Sequence, residues 1–327
     1  MTQQLISVII PVYNLEEYIV RTLNSVFSQT YSNIEVVAVD DGSTDKTPSL
    51  LDDYAEKESR LKVIHKKNEG VSKARMAGVA AAAGDYIGFV DGDDLIDPDM
   101  YERLLNNAVK YKAEISHCGY RLIRPDGSVD FFYNTGEIIL QNNEQGIFDL
   151  LSGSKIEPGL CNKLFRATLF HSLLQSPSIN LSFKENEDLL MNYCLFKMSS
   201  KSVYEDFCPY CYIIRVGSSS HGKTKEHMLT DPIKIGEFLL KDTENNINLY
   251  RQSSRYYVTK LIKAITFNYN NTEIDASLKN ESRRKLKGFL KKYFKTEEKQ
   301  LKKYLALLAC FFPRIYNFLH KLYLSGR

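Results

Sequence analysis

Four consecutive residues carry the strongest chemical signal in the sequence, the tetrapeptide Asp91-Gly92-Asp93-Asp94. Three carboxylates this close repel one another, so a fold that keeps them together usually supplies a cation. Their hard oxygen atoms suit Mg²⁺ or Mn²⁺, which proteins bind through a few carboxylates together with substrate phosphates. The spacing does not match a calcium-binding EF-hand loop. Because the tetrapeptide directly follows the apolar stretch 86–90, a metal–diphosphate site is favoured over a solvated acidic turn.

Two common phosphate-binding motifs are missing from the sequence. No Walker A motif is present and no GxGxxG follows a predicted strand, which argues against a P-loop phosphotransferase and against dinucleotide redox chemistry. A diphosphate held by a metal ion and aspartates, without a glycine-rich loop, fits a nucleotide-sugar better than ATP. Asp41 is placed to accept a hydrogen bond from a nucleobase. For its neighbour Asp40, a purely structural role is a sufficient explanation.

Alternating strands and helices must position these residues. Over roughly the first 110 residues, short apolar stretches alternate with segments of helical periodicity, which predicts an α/β fold with a mostly parallel, Rossmann-like wound sheet. The predicted strands are 6–12, 34–39, 61–65 and 86–90, and the predicted helices are 16–28, 47–57, 71–83 and 98–112. Such sheets bind ligands beyond the carboxyl ends of their strands. Three of these ends are polar, at 11–14, 40–41 and 91–94.

The net charge of +3 over 327 residues conceals an uneven distribution. Residues 281–327 contain 13 Lys and Arg against three acidic residues, a net charge of +10, which leaves −7 for residues 1–280. Charge asymmetry of this kind suggests that one end of the chain binds an anionic surface. No stretch reaches the ~18–20 uninterrupted apolar residues of a membrane span. Residues 1–4 lack a basic region, so we expect no signal peptide.

The six cysteines are scattered and do not form a disulfide framework, which favours a reducing cytoplasm. Cys208-Pro209-Tyr210-Cys211 has CxxC spacing, but a zinc site needs a second pair of ligands. A redox pair would stand at the start of a helix, whereas this segment opens a predicted strand. We therefore expect these cysteines to be incidental.

Several motifs, taken together, resemble the family 2 glycosyltransferases of GT-A fold, in particular the bacterial members that assemble polysaccharides. The motifs of residues 5–105 are SVIIPVYN at 7–14, DDGSTD at 40–45, Asn68-Glu69-Gly70 with Ala74-Arg75, and DGDD at 91–94. Further matches are NKLFR at 162–166, Glu187-Asp188, and Tyr212 with Arg215 and the serines 218–220. The resemblance reaches about residue 221 and says little about the rest.

The resemblance implies a donor site. In it, Pro11, Tyr13 and Asp41 line the pocket of the nucleotide base. Asp91 and Asp93 form the DxD pair, one near the ribose and one on the metal, with Asp94 as an alternative ligand. Arg75 is a candidate for the diphosphate, although an ordinary exposed helical arginine explains it equally well. His221 ends a Gly/Ser-rich loop of the kind that closes over the donor in GT-A enzymes, where a histidine completes the metal shell or contacts the diphosphate. The alternative is a solvent-exposed loop histidine, which is the more common outcome.

The resemblance also implies a catalytic base. Family members transfer the sugar with inversion, and single displacement needs one carboxylate near the acceptor hydroxyl. Asp188 is the expected base, and Glu187 supports it; capping of a helix start is the alternative explanation of both. Asn162, Lys163 and Arg215 are expected to contact the acceptor or to support the site.

The C-terminal region interleaves basic and aromatic residues from about residue 281. A helix with one Lys-rich face and one aromatic–aliphatic face is typical of a membrane interface. Each Lys or Arg near an anionic membrane contributes on the order of 1 kcal/mol. The alternative is a helical subdomain that packs on the catalytic body or on another subunit. Nucleic acid is disfavoured, since the body is acidic and no reader module is recognisable.

The sequence thus predicts a GT-A domain at 1–225 and a helical region at 226–327, basic and amphipathic from about 281. The predicted function is inverting, metal-dependent transfer, with Mn²⁺ or Mg²⁺, of a sugar from a UDP-sugar or related donor to a lipid-linked or oligosaccharide acceptor. We expect a cytoplasmic protein, peripheral on the inner membrane face, with homo-oligomerisation left open. The alternatives are a sugar nucleotidyltransferase and a non-catalytic membrane-docking assembly subunit.

Overall fold

The structure is a computed structural model that describes residues 4–175, 183–215, 224–270 and 272–325. These residues fall into two units. The sheet unit comprises the described residues up to 183 together with 187–215, and the helical unit comprises 184–186 and the described residues from 224 onward. The domain boundary expected after residue 225 stays a prediction.

Apolar, β-branched stretches form the centre of the sheet. β1 (Ile6–Val12) is buried over its whole length and pairs in parallel with β2 (Ile34–Asp40) and with β4 (Tyr86–Phe89). β3 (Leu61–His65) continues the parallel arrangement beyond β2. Strands buried on both faces require a covering layer on each side, and helices provide it. The helices that connect these strands and follow β4 are α1 (Ile19–Phe27), α2 (Thr47–Ala55), α3 (Val71–Ala81) and α4 (Met100–Tyr111).

The remainder of the sheet is mixed. Its strands are β5 (Leu95–Ile96), β6 (Ile115–Ile123), β7 (Val129–Phe131), β8 (Ile138–Asn142), β9 (Lys163–Arg166) and β10 (Lys201–Ile213). The strand order is β3-β2-β1-β4-β9-β6-β10-β5, with β7 paired to β6 and β8 paired to β10. β9 is antiparallel to both of its neighbours, whereas β6 and β10 are parallel to each other. The helices are α5 (Asn143–Ser152), α6 (Ala167–Leu174) and α7 (Glu187–Met198).

The register of the central strands brings their carboxyl ends to one edge. Asp40, the last residue of β2, pairs with Val12 on one side and with His65 on the other. The amide of Val90 donates to the carbonyl of Ile9, so β4 leaves the sheet at the same level. The loops after four parallel strands therefore begin side by side, which is the arrangement that binds ligands in wound sheets.

The helical unit contains α8 (His227–Asp242), α9 (Ile247–Thr266), α10 (Ser277–Thr296), α11 (Gln300–Phe311) and α12 (Pro313–Ser325). Its core is apolar and includes Tyr257, Leu261, Leu286 and Leu290. Within the described residues, no helix is both long and apolar enough to cross a bilayer.

Candidate active site

The loops after β1 and β2 are tied to each other by side chain–backbone hydrogen bonds. Ser43 Oγ accepts from the amide of Asn14 at 2.9 Å, and Asn14 Oδ1 accepts from the amide of Thr44 at 2.8 Å. Asn14 has a positive φ of 52°, which asparagine tolerates better than most residues. Next to this turn, Pro11 is buried and Tyr13 is 48% exposed. Tyr13 therefore presents its ring at the rim of the sheet edge.

Asp41 accepts three hydrogen bonds from the segment that follows β3. Lys66 Nζ and the amide of Glu69 donate to Oδ1 at 2.7 and 3.0 Å, and the amide of Gly70 donates to Oδ2 at 2.7 Å. Gly70 has a φ of +96°, a conformation that a side chain would strain. A carboxylate offers about four acceptor positions. Asp41 thus shapes this loop, and within the described residues Oδ2 keeps capacity for one further donor.

Asp40 has a structural environment. Its Oδ1 accepts from the amide of Ser43 at 2.9 Å, and its Oδ2 lies 2.9 Å from His65 Nδ1. His65 Nε2 also lies 3.1 Å from Asp52 Oδ1. The hydrogen bonds to Asp40 and then to Asp52 raise the pKa of His65 above its ordinary value. Asp40 therefore fixes the end of β2.

Arg75, on α3, connects the loop after β4 to the start of α7. Its two terminal nitrogens lie 3.1 Å from Asp91 Oδ1 and 3.3 Å from Glu187 Oε1. Burial acts to lower the pKa of Arg75, but nearby negative charges, led by Asp91, raise it overall. Its Nε is buried and has no hydrogen-bond partner in the described part of the chain. Arg75 is thus a buried cation between two acidic groups, not an exposed helical arginine.

The three aspartates after β4 have different environments. Asp91 is about a third exposed, and Asp93 Oδ2 pairs with Arg215 at 2.5 Å. Burial raises the pKa of Asp93 despite the nearby Arg215 charge. Arg215 also lies over the Tyr18 ring, 4.6 Å from its centroid.

Asp94 points into the protein and is 1% exposed. The Tyr210 hydroxyl donates to its Oδ2 at 2.6 Å, and the amide of Ile213 donates to its Oδ1 at 2.9 Å. Burial, followed by the charge of Asp91, raises the pKa of Asp94 well above its ordinary value. Both oxygens thus fasten the aspartate loop to β10, and assignment of Asp94 as a metal ligand stays a prediction.

A cavity of about 240 Å³ lies beside Asp91 and contains Asp188 in its wall. Tyrosines 120, 210 and 212, together with residues 157–159 and 161–162, complete most of the lining. Asp188 stands in the first turn of α7 and is partly buried. Burial raises its pKa, although the charge of Arg75 opposes the effect. A carboxylate with a raised pKa is a stronger base, and this one faces a cavity large enough for part of a sugar.

Asn162 and Lys163 form the support of one cavity wall. Lys163 is fully buried, and its Nζ donates to the carbonyls of Glu157 and Gly159 at 2.8 and 2.6 Å and to Asn162 Oδ1 at 2.8 Å. Burial lowers the pKa of Lys163 to about 8. Asn192, one turn along α7 from Asp188, donates to the carbonyl of Gly159 at 3.1 Å. The buried ammonium thus holds the loop that faces Asp188.

The structure brings most of the expected site residues to one edge of the sheet, but their roles stay predictions. His221 and the serines 218–220 lie outside the described residues. In the described ranges, no group of three or more His, Cys, Asp or Glu side chains is arranged so that it could hold a metal ion. All six cysteines are free and buried.

Two further residues line the cavity beside Asp188, Tyr210 and Glu157, and neither was expected from the sequence. Tyr210 lies inside the CxxC segment, between Cys208 and Cys211. Its alternation with Tyr212 along β10, which places both rings on one face of the strand, could have revealed it. Glu157 gave no signal, because it belongs to a loop without a motif.

Comparison with known proteins identifies the family. Residues 7–173 match the family described as Glycosyl transferase family 2. The chain is 32% identical over 260 residues to glycosyltransferase GlyA of Streptococcus pneumoniae serotype 4, a match that covers 76% of this chain and 37% of GlyA. It is 30% identical over 225 residues to GlyG of the same organism, covering 66% of this chain and 72% of GlyG. The chain therefore spans little more than a third of GlyA.

A solved structure supports the same fold. The crystal structure of S. aureus TarS 1-349 in complex with UDP-GlcNAc superposes with a TM-score of 0.69 at 20% identity, covering 98% of this chain and 92% of that one. This likeness confirms the predicted α/β fold of GT-A type with a C-terminal helical region. Together with the family match over more than half of the sequence, it confirms the resemblance seen in the motifs. The chain belongs to glycosyl transferase family 2.

Proposed function

We propose that the chain transfers a sugar, with inversion, from a UDP-sugar to a lipid-linked or growing glycan acceptor in bacterial polysaccharide synthesis. One observation carries the proposal: Asp91 and Asp188 line the same cavity at the carboxyl edge of the sheet. The first belongs to the loop expected to bind the donor, and the second is a carboxylate with a raised pKa. The UDP-GlcNAc bound in the TarS structure supports UDP as the nucleotide.

Donor binding would use the loops after β1, β2 and β4. Asp41 would accept from the nucleobase with its remaining Oδ2 position, and the half-exposed Tyr13 would cover the base beside Pro11. The positive charge of Arg75, which lies beside Asp91, would favour the negatively charged diphosphate. The ribose would lie against Asp91.

A divalent ion fits the oxygen donors of this loop. Asp91 and Asp93 each have one oxygen in an ion pair, which leaves the other available among the described contacts. Mg²⁺ and Mn²⁺ commonly use one or two carboxylates and complete their shell with phosphates and water. We assign Asp93 as the direct protein ligand, because Asp94 has both oxygens engaged. When bound, the ion would neutralise charge on the departing diphosphate.

Asp188 would act as the general base. Its carboxylate would take the proton of the acceptor hydroxyl while that oxygen forms a bond to C1 of the donor sugar. The bond between C1 and the diphosphate oxygen breaks at the same time, and its electron pair leaves with the nucleoside diphosphate. Attack from the face opposite the leaving group inverts C1. Glu187 would hold Arg75, while Asn162 and Lys163 would hold the wall that positions the acceptor.

A donor screen tests this function. UDP-, GDP- and dTDP-sugars would be added to the protein with Mn²⁺, and thermal stabilisation would be measured with and without EDTA. We expect UDP-sugars to raise the melting temperature, and EDTA to remove most of the effect. A failure of every nucleotide-sugar to stabilise the protein, or turnover of UTP with a sugar 1-phosphate, would contradict the proposal.

We further propose that the helical unit docks on an anionic membrane surface, which would make the protein cytoplasmic and peripheral. α11 and α12 carry exposed apolar side chains at Leu301, Tyr304, Phe312, Ile315, Phe318, Leu319, Leu322 and Tyr323. Thirteen Lys and Arg against three acidic residues in 281–327 match the charge of an anionic leaflet. A lipid surface satisfies both features, since apolar rings insert and cations contact headgroups.

Paired substitutions test the docking. The double variant Phe318→Glu/Leu322→Glu is expected to lose binding to phosphatidylglycerol-containing vesicles while it keeps donor hydrolysis. Phe131→Glu, at an exposed position of β7, is the matched control and is expected to bind as the unaltered protein does. Equal vesicle binding by the double variant, or its conversion from dimer to monomer, would show that this face does not serve a membrane.

A further inference from the structure

A second cavity, of about 370 Å³, lies within the helical unit, among α9, α10, α11 and α12. Val258, Ile262 and Leu305 give it an apolar part. Leu305 is also one of the exposed apolar residues of α11. The cavity is therefore continuous with the surface proposed to contact lipid.

The polar part of this cavity is cationic. Arg255, Lys263, Lys302 and His320 line it, and among the described residues that line it none is acidic. Arg255 is already neutralised, because its Nε and a terminal nitrogen lie 2.6 and 2.7 Å from the two oxygens of the fully buried Glu297. The two lysines have no such partner within 4.0 Å in the described part of the chain. The charge of Glu297 also acts on Lys302, but Glu297 is already ion-paired with Arg255. Among the described residues, the cations that line the cavity therefore outnumber the acidic groups beside it.

The environment of Lys302 supports the need for an anion. Burial, and then the charge of Arg255, lower the pKa of Lys302 below its ordinary value. Both causes destabilise its ammonium form, and the charge of Glu297 opposes them only in part. An anion in the cavity would stabilise the ammonium form further. Lys263, on α9, also lines the cavity and is exposed. Its exposed position allows it to approach the same anion as Lys302.

We propose that this cavity binds the phosphate group of an anionic lipid headgroup. Lys263 and Lys302 contact the phosphate, and the start of the acyl chains lies along Ile262 and Leu305. A free phosphate would also be attracted by the lysines, but it would leave the apolar wall of Ile262 and Leu305 without a partner, so the observations favour the lipid. The inference rests on the proposed membrane docking and adds a specific site to it.

The test compares two double variants with the same change of charge. Lys263→Gln/Lys302→Gln removes the cavity cations, and Lys291→Gln/Lys292→Gln removes two exposed cations of α10 that do not line the cavity. Binding to phosphatidylcholine vesicles with and without phosphatidylglycerol is measured by co-sedimentation. Each lysine near an anionic surface contributes about 1 kcal/mol, so diffuse attraction alone predicts equal losses of roughly tenfold or more for both variants. We expect a clearly larger loss for the cavity variant.

Soluble probes separate the two sources of phosphate. Short-chain phosphatidylglycerol, glycerol 3-phosphate and inorganic phosphate are each tested for stabilisation of the full chain. Stabilisation by the short-chain lipid, lost in the cavity variant only, supports the proposal. Equal stabilisation by inorganic phosphate, or equal vesicle binding by the two double variants, overturns it.

Donor hydrolysis by the same preparations keeps the two proposals distinguishable. An active protein whose cavity variant binds lipid like its control refutes the lipid site and leaves the transferase function standing. An inactive protein with a lipid-selective cavity refutes the transferase function alone.

Discussion

The Tyr210 hydroxyl donates a 2.6 Å hydrogen bond to Asp94 Oδ2 and thereby fastens the aspartate loop after β4 to the strand β10. The amide of Asp91 in turn lies 3.2 Å from the same phenolic oxygen. One buried tyrosine thus positions both ends of the Asp91–Asp94 segment. The consequence is a division of roles, in which Asp91 and Asp93 stay partly exposed and Asp94 is buried and holds the loop.

Asparagine substitutions are expected to separate these roles. Asp94→Asn presents an NH₂ group to one of two buried donors, so we expect the free energy of unfolding to fall by about 1–3 kcal/mol. Asp93→Asn removes only a partly exposed ion pair, worth about 0–1 kcal/mol, but raises the Mn²⁺ concentration needed for half-maximal turnover. Urea unfolding and metal titration of donor hydrolysis measure the two effects. The reverse pattern would make Asp94 the ligand.

Asp188→Asn is expected to lower kcat by roughly 10²–10⁴-fold, the usual contribution of a general base. Donor binding, measured by thermal shift with a UDP-sugar, stays unchanged because the substitution preserves shape. Asp53→Asn, an exposed position on α2, is the control with the same chemical change. A variant at 188 with ordinary turnover would show that another group removes the proton.

The pH dependence of activity gives an independent test of Asp188 as the general base. Burial raises the pKa of Asp188, so its carboxylate gains a proton at a higher pH than an ordinary aspartate would. Activity should therefore fall on acidification at a pH above the ordinary aspartate pKa of about 3.9. An acid limb at or below that value would contradict the raised pKa.

Arg75→Lys tests whether geometry or charge matters at the junction of α3 and α7. One guanidinium reaches both Asp91 and Glu187, whereas a single ammonium does not offer the same planar fork. We expect Arg75→Lys to lower both stability and kcat, with activity falling even at temperatures where the variant is folded. Lys73→Arg, on the same helix but exposed, is the control. Full activity in Arg75→Lys would show that only the positive charge at position 75 is needed, and not the geometry of the guanidinium group.

The sequence was sufficient to predict the parallel part of the sheet, β1 to β4. Each of these strands is an apolar stretch, and a segment of clear helical periodicity follows it. The sequence could not predict β5, β8 or β9. β5 has two residues, and β9 lies antiparallel between β4 and β6, so distant partners rather than local propensity determine these strands. Such long-range pairing leaves little trace in a local pattern.

In the candidate site, too, some features follow from local sequence motifs and others depend on residues far away in the chain. Asp41, Asp91 and Asp188 are candidates from the sequence because their motifs lie at strand ends or at a helix start. The inward orientation of Asp94 depends on Tyr210, which is 116 residues further along the chain. The burial of Lys163 likewise depends on the carbonyls of a loop that carries no motif. Sequence spacing identified the charged groups, and packing decided which of them face the cavity.

His117 is expected to control stability in acid. It is fully buried on β6, its Nε2 lies 2.9 Å from Gln141 Oε1, and its Nδ1 has no partner among the described residues. Burial lowers its pKa to about 3, followed in importance by the charge of Lys163. Below about pH 6.5 the unfolded chain binds a proton that the folded chain does not. Stability should therefore fall between pH 6.5 and about 3, and be independent of His117 above that window.

Urea unfolding at pH 7 and pH 5 measures this effect. At 1.36 kcal/mol per pH unit, His117 should cost the protein about 2 kcal/mol on going to pH 5. His117→Gln keeps a polar group opposite Gln141 but does not titrate, so its loss between the two pH values should be smaller by that amount. His171→Gln, on α6, is the matched control, because that histidine is exposed. Equal acid sensitivity of the unaltered protein and His117→Gln would mean that the buried ring accepts its proton without unfolding.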